Sequence, residues 1–383
     1  MIRLPRRSVK KSPQEVREVL FLAQLPPPVH GVTVMSKRVH DTLLQFGDMR
    51  LTPLWAGSAK RLADIDRRSL MKYLAFCRML GVLSYQVLTR KRYYAVYLTL
   101  APRAHTVARD ALLAAIAKLL SSVVIVHLHG DGLSEILDRA SLKTKILLRL
   151  LRGATLAGAS SNAIRLAQTS QVFNGAIAVP NAVPDPGPNG RSPSQTLQLG
   201  FMANLDPRKG VFRFVEAVAA MVDQGLPVTA IVAGSSTPFL STHKLERFIA
   251  GHNLTSVIRV IGPVHGDIKD AFWRSLDVFV YPTEHDYAPL VLVEALSYGV
   301  APIATDVGAI PDMIGTVFAE NILPATLSHS DARTAMVSLV RRYQTDRPKL
   351  GSDQAAARDL YLAQFSMGCL RAQLIRVFQH RQL

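Results

Sequence analysis

Residues 286–312, Asp286-Tyr287-Ala288-Pro289-Leu290-Val291-Leu292-Val293-Glu294-Ala295-Leu296-Ser297-Tyr298-Gly299-Val300-Ala301-Pro302-Ile303-Ala304-Thr305-Asp306-Val307-Gly308-Ala309-Ile310-Pro311-Asp312, decide the fold. Just ahead of them a strand-like apolar run, Val278 to Tyr281, stops at Pro282. A polar loop follows, then an apolar stretch with a carboxylate, Glu294, embedded in it. This order describes a helix N-terminus facing a ligand at the carboxyl end of a parallel strand. A carboxylate among apolar neighbours is expensive to bury unless it binds something. Glu294 is therefore a binding candidate.

The same grammar repeats on both sides. Upstream, Val19 to Ala23, Ala95 to Leu98 and Val123 to Leu128 are short apolar runs, each followed by turn residues or a helical stretch such as Val32 to Leu44. Leu197 to Met202, Val228 to Ala233 and Ile258 to Ile261 continue the series, with an amphipathic helix over Val211 to Val222. Strands alternating with helices indicate an α/β fold with parallel sheets. Pro180, Pro184, Pro186, Pro188 and Pro193, with Gly187 and Gly190, mark the boundary between two halves. The expected domains are 1–187, 188–365 and a closing helix, 366–383, packed back on the first domain.

Composition narrows the function. At 383 residues the chain exceeds one ordinary domain, and 49% apolar residues fill complete cores. Cys77 and Cys369, far apart, exclude a disulfide scaffold or a zinc cluster. Residues 1–190 hold 27 Lys and Arg against 11 Asp and Glu, so +16 of the net +17 lies in the first half. That asymmetry points to a polyanionic partner for this half, or to a solvated basic face. Aromatics at 7% without a stacking platform argue against nucleic acid. No apolar stretch reaches the ~20 residues of a membrane span. The short run from Val19, behind Glu15 and Glu18, does not read as a secretory signal.

Three loops accompany the Glu294 helix. Pro27-Pro28-Val29-His30-Gly31-Val32 lies between the first strand and first helix, where a Gly lets backbone amides approach an anion; a tight turn alone also accounts for it. Phe201-Met202-Ala203-Asn204-Leu205-Asp206-Pro207-Arg208-Lys209-Gly210 follows a strand with two cations. Val126-His127-Leu128-His129-Gly130-Asp131 ends another strand, and alternation places its two histidines on one face. No third ligand of matching spacing accompanies them, so a metal site is not expected.

These segments, in this order, resemble the retaining glycosyltransferases of family 4, with the GT-B architecture of two facing Rossmann-like domains around a cleft. In that family two carboxylates separated by seven residues serve the donor; here the pair is Asp286 and Glu294, with Asp where Glu is usual. The resemblance implies that Glu294 accepts hydrogen bonds from the nucleotide ribose and Asp286 contacts sugar hydroxyls. It places Gly31 and the amides of Leu290 and Val291 against the donor phosphates, with Lys209 neutralising the leaving diphosphate. Asn204 falls on the usual Arg position, with Arg208 as the compensating candidate, and His129 falls near the sugar and acceptor. The implied activity is metal-independent, retaining transfer of a hexosyl group from a nucleoside-diphosphate sugar to a hydroxyl of a glycan or lipid-linked acceptor. No cofactor is implied beyond that co-substrate.

Two other readings stand beside it: a nucleotide-sugar epimerase of the same fold, and a non-catalytic donor-binding member. Arg3, Arg6, Arg7, Lys10 and Lys11, with Lys143, Lys145 and Arg149 in an apolar-rich helix, suit an anionic membrane surface. The expected location is cytoplasmic, peripheral on the membrane face, in polysaccharide or glycolipid assembly. Ile146, Leu147, Leu148, Leu150 and Leu151 could bury an apolar face there, although packing against the sheet is the more ordinary use of such leucines.

Overall fold

The computed structural model describes residues 16–54, 70–101, 104–130, 132–133, 146–170, 172–190 and 194–379. The first domain runs β1 (Arg17–Leu22), α1 (Gly31–Leu44), β2 (Met49–Pro53), α2 (Leu70–Leu88), β3 (Ala95–Leu100), α3 (Ala104–Leu120), β4 (Val124–Leu128), β5 (Thr155–Gly158), α4 (Ser161–Thr169) and β6 (Gly175–Ala178). Its sheet is parallel in the order β2-β1-β3-β4-β5-β6. Every residue of β3 and β4 is buried, as expected of parallel strands covered on both faces. One face packs on α2, α3 and the short turn Arg149–Leu151. The other packs on α1 and on the last helix of the chain.

The second domain contains β7 (Leu197–Met202), α5 (Val211–Asp223), β8 (Val228–Ala233), α6 (Thr242–Gly251), β9 (Ile258–Gly262), α7 (Gly266–Ser275), β10 (Val278–Tyr281), α8 (Leu290–Ser297), β11 (Ala301–Thr305), α9 (Ile310–Phe318), β12 (Ile322–Leu323), α10 (His329–Thr345) and α11 (Arg347–Gln364). Its parallel strands lie in the order β12-β11-β10-β7-β8-β9, so the direction of winding reverses between β7 and β10. In the first sheet the reversal falls between β1 and β3. Open α/β sheets bind ligands in the crevice at such reversals, beyond the carboxyl ends of the strands. The loops singled out in the sequence after β1, β7 and β10 leave from those strands.

The closing helix expected from residue 366 is set off from the helix before it by a break at Phe365-Ser366. Before the break, α11 buries Ala357, Leu360 and Tyr361 in the second core. After it, α12 (Met367–Gln379) buries Leu370, Leu374, Val377 and Phe378 against Val19, Phe21, Met35 and Val39 of the first. The two crossings between domains are bonded to each other: Val183 N donates to Phe365 O at 3.1 Å, and Tyr361 Oη to Val183 O at 3.1 Å.

The apolar stretch after residue 145 takes the more ordinary of the two uses open to it. Leu148 and Leu151 are buried, and Leu147 and Leu150 pack against the first core. Only Ile146 of that group is exposed. These side chains cover the sheet and are not available to an interface. Arg3, Arg6, Arg7, Lys10, Lys11, Asp131, Lys143 and Lys145 lie outside the described residues.

Candidate active site

Strand β10 ends on Tyr281, and the loop that follows folds its own carboxylate back on the strand end. The Tyr281 hydroxyl donates to Asp286 Oδ2 at 2.6 Å, and Tyr287 N to Asp286 Oδ1 at 2.9 Å. Burial and the Asp286 charge push the Tyr281 hydroxyl well above its ordinary pKa, so it remains a donor. Lys209 arrives from the loop after β7 and completes the group, its Nζ 2.7 Å from Asp286 Oδ2 and 2.9 Å from His285 O. Thus the two residues expected at the diphosphate and at the sugar form an ion pair with each other. Its members retain only 25% and 20% side-chain exposure.

Two glycines make this approach possible. Gly210 follows Lys209 at φ +86°, and a Cβ there would lie 2.1 Å from Pro282 O. Gly308, at φ +59°, would place a Cβ 2.3 Å from Asp286 O and 2.5 Å from Tyr287 O. The turn after β11 is therefore the floor on which the Asp286 loop rests.

The helix α8 begins at Leu290 behind Pro289. The first-turn amides of Leu290 and Val291 precede the helix's own i→i−4 bonds and point out of its N-terminus. One turn on, Glu294 is nearly buried, at 12% side-chain exposure. Its Oε1 accepts a 2.6 Å hydrogen bond from Lys269 Nζ, while its buried Oε2 has no partner. An unpaired oxygen on a buried carboxylate costs about 1–3 kcal/mol or more. Arg38 of α1 also senses Glu294: desolvation lowers the guanidinium pKa and the carboxylate raises it.

Across the cleft, a Cβ on Gly31 would lie 3.9 Å from Leu290 Cδ1, so the N-termini of α1 and α8 face each other. His129, just past β4, is half-buried, with a buried Nε2 that has no partner, and His30 Nε2 is likewise unpartnered. Burial, helped by the nearby His30, lowers the His129 pKa to about 4. Its ring packs at 4.0 Å on His127, whose Nδ1 is bonded to the Tyr97 hydroxyl at 2.6 Å. His127 is thus the satisfied core member of the pair, and His129 the one with a nitrogen to offer. The domains also touch where Asn181 Nδ2 donates to Ala288 O and Ser161 N to Asp312 Oδ2, each at 2.7 Å.

Two candidates stand apart from this group. The Arg208 guanidinium is exposed and engaged with Asp206, at 3.1 Å and 2.7 Å. Asn204 is exposed beside it, its backbone oxygen accepting from Asp206 N at 2.7 Å. Arg208 is therefore held on its own loop, where it does not share the Lys209–Asp286 contact. Sequence reading missed Tyr281, Lys269 and Arg38. Lys269 carried a signal: a cation early in a helix opposes the macrodipole unless a carboxylate offsets it.

Residues 196–341 match the family model described as Glycosyl transferases group 1. The chain is similar to the lipopolysaccharide core biosynthesis mannosyltransferase LpsB of Rhizobium meliloti, 31% identical over 159 residues, which are 41% of this chain and 44% of that one. It is also similar to the D-inositol 3-phosphate glycosyltransferase of Geodermatophilus obscurus, 29% identical over 33% of this chain and 30% of the other. The matched part thus spans less than half the length of either relative. Solved structures match more widely. Sucrose-phosphate synthase from Thermosynechococcus elongatus superposes with TM-score 0.70 at 14% identity, covering 96% of this chain and 99% of that one. HepE of Anabaena, solved with UDP and glucose, gives 0.65 at 16% identity, with 95% and 100% covered. The chain has the GT-B architecture, and residues 196–341 of its second half match a glycosyl transferases group 1 domain.

Proposed function

We propose that this protein is a retaining glycosyltransferase that moves a hexosyl group from a nucleoside-diphosphate sugar to a hydroxyl of a glycan or lipid-linked acceptor. The observation that carries the reading is Glu294. Its buried, unpartnered oxygen lies one turn beyond the α8 N-terminus, at the reversal point of the second sheet. A ribose hydroxyl would satisfy that oxygen, and the amides of Leu290 and Val291 suit a phosphate one turn away. The Lys209 cation would then leave Asp286 for the diphosphate, freeing the carboxylate for sugar hydroxyls. Such a charge, fixed in a water-poor cleft, is worth most where leaving-group charge develops.

Retention proceeds with the leaving phosphate assisting attack on the same face, since no second carboxylate is suitably spaced in the sequence to serve as a covalent nucleophile. The acceptor oxygen attacks the anomeric carbon from the face the diphosphate leaves. The bond from that carbon to the phosphate oxygen breaks, and the acceptor proton passes to the departing phosphate. His129, neutral above its pKa of about 4, offers a hydrogen-bond partner to sugar or acceptor. Lys209 and the helix amides do the work a divalent ion does in other transferases, so no metal is required. The acceptor would bind the basic first domain, with work at a cytoplasmic membrane face in polysaccharide or glycolipid assembly.

The test is a thermal-shift panel of nucleoside-diphosphate sugars on wild type and Glu294→Ala, followed by NMR of the anomeric configuration of the product. A donor that stabilises wild type but not the variant, and a product with the donor's configuration, are expected. Inverted product, or epimerised donor in the absence of acceptor, overturns the reading.

A further inference from the structure

Helix α2 has no polar face. Met79 and Leu83 on its inner side are buried, with Phe76, Leu80 and Val87 packed beside them on the first core. Its outer side is also apolar: Met71, Leu74, Val82, Tyr85 and Leu88 recur along one stripe, with Leu74 61%, Tyr85 68% and Leu88 81% exposed. A globular surface helix normally turns charge to the solvent, and one that is apolar all round is normally covered on all sides. Neighbouring elements extend the surface, for Leu112 and Leu119 of α3 and Ile146 are exposed on the same layer.

The charge around this stripe says what covers it. Residues 70–109 contain seven Lys and Arg and no Asp or Glu. Arg78 is exposed within the stripe, and Arg90 and Arg92 are exposed just beyond its end. A second copy of the face would set those cations against each other. An anionic bilayer matches both components, taking the apolar side chains at the acyl boundary and the cations at the headgroups. Tyr73 and Tyr85 have the amphipathic rings favoured at that depth. No described helix is long and apolar enough to cross a membrane, so the helix would lie in the interface plane.

We infer that the outer face of α2 is a membrane-docking surface that seats the first domain on anionic lipid. This rests on, and localises, the membrane component of the reading above. It moves the contact from the leucines after residue 145, which the core has taken, to α2.

The test is flotation of the full chain with phosphatidylcholine vesicles and with vesicles containing 30% phosphatidylglycerol, with no donor or acceptor present. Wild type should float with the anionic vesicles alone. Leu74→Ser/Tyr85→Ser should lower its partition by roughly tenfold or more, at unchanged melting temperature because both positions are exposed. A solvatochromic dye on the native Cys77, exposed on the same helix, in a Cys369→Ser background should shift to the blue on those vesicles. Binding that survives the double substitution, or a dye that stays in water, overturns the α2 assignment while leaving peripheral attachment in place. Absence of wild-type binding overturns both, and transfer to a soluble acceptor then judges the enzyme reading separately. A dimer in solution that the double substitution dissociates would show that the face joins two copies and overturn the lipid proposal.

Discussion

Lys209 and Glu294 do different work, and substitution separates them. Lys209→Ala is expected to lower kcat by roughly 10²–10³, because the cation acts on charge that appears as the diphosphate leaves. The melting temperature should move by no more than about 2–4 °C, since an ion pair at the cleft surface contributes ~1 kcal/mol or less. Equal turnover in both proteins would remove Lys209 from the mechanism. Glu294→Ala should instead raise the donor KM by roughly ten- to a hundredfold, the loss expected for hydrogen bonds to a charged acceptor. Glu294→Gln, which keeps a carbonyl oxygen in place, should fall between. If Glu294→Ala keeps donor affinity and melts early, its service is to Lys269 and the fold. Both residues were legible in the sequence because their chemistry is conspicuous, a cation in a turn and a carboxylate in an apolar run. Tyr281 was not: a tyrosine at the end of a buried strand looks like core until the loop carboxylate folds back onto its hydroxyl. Arg208 was left between a leaving-group cation and a surface arginine for a related reason. Adjacency to Lys209 in sequence says nothing about Asp206, whose carboxylate caps the same turn and draws the guanidinium onto itself.

At the scale of elements, the strands matching β1, β3, β4, β7, β8, β9 and β10 were legible to within two residues, since buried parallel strands are short continuous apolar runs flanked by turns. By contrast β2, β5, β6, β11 and β12, interrupted by Arg, Thr, Pro or Gly or only two residues long, were not. The topology needed more than alternation, because the winding reversals that locate the cleft are properties of strand order. Two elements carry predictions. The turn after β11 supports the Asp286 loop through a glycine whose extra Cβ would collide with two backbone oxygens. Gly308→Ala should destabilise by about 1–3 kcal/mol and weaken donor binding together, read by denaturant melts and titration with a donor. Retained binding at reduced stability would separate that turn from the site. The end of β4 buries histidines that stay neutral. His129 has a folded pKa of about 4 against ~6.5 in an unfolded chain, and burial also holds His30 and His127 low. Between those values the unfolded chain binds protons that the folded chain does not. Their contribution is therefore complete above pH ~6.5 and lost as pH falls towards 4. Melting temperature against pH should show this acid slope, and His129→Gln should flatten it; an unchanged slope would mean that other groups govern acid unfolding.

For the molecule as a whole, the charge asymmetry of the sequence indicated where an anionic partner would sit, but not on which element. The leucines after residue 145 and those of α2 have similar composition, and only packing shows which set the core consumes. The metal-free reading is tested on the intact protein. EDTA should leave the transfer rate unchanged within error, whereas loss of rate restored by Mg²⁺ or Mn²⁺ would mean that Lys209 and the α8 amides are insufficient for the leaving group.

The return of the chain at Phe365-Ser366 has a consequence for the order in which the protein is made. The first domain emerges from the ribosome before the second, yet the face of its sheet carrying Val19 and Phe21 is closed by Leu370, Leu374, Val377 and Phe378, which are translated only after the whole second domain. The half made earlier is thus closed later. During synthesis it must wait with an apolar seam open while the second domain, whose core has its own helices, can already be complete. The same two crossings, bonded side by side through Val183, leave the finished protein hung like a door on two adjacent pins.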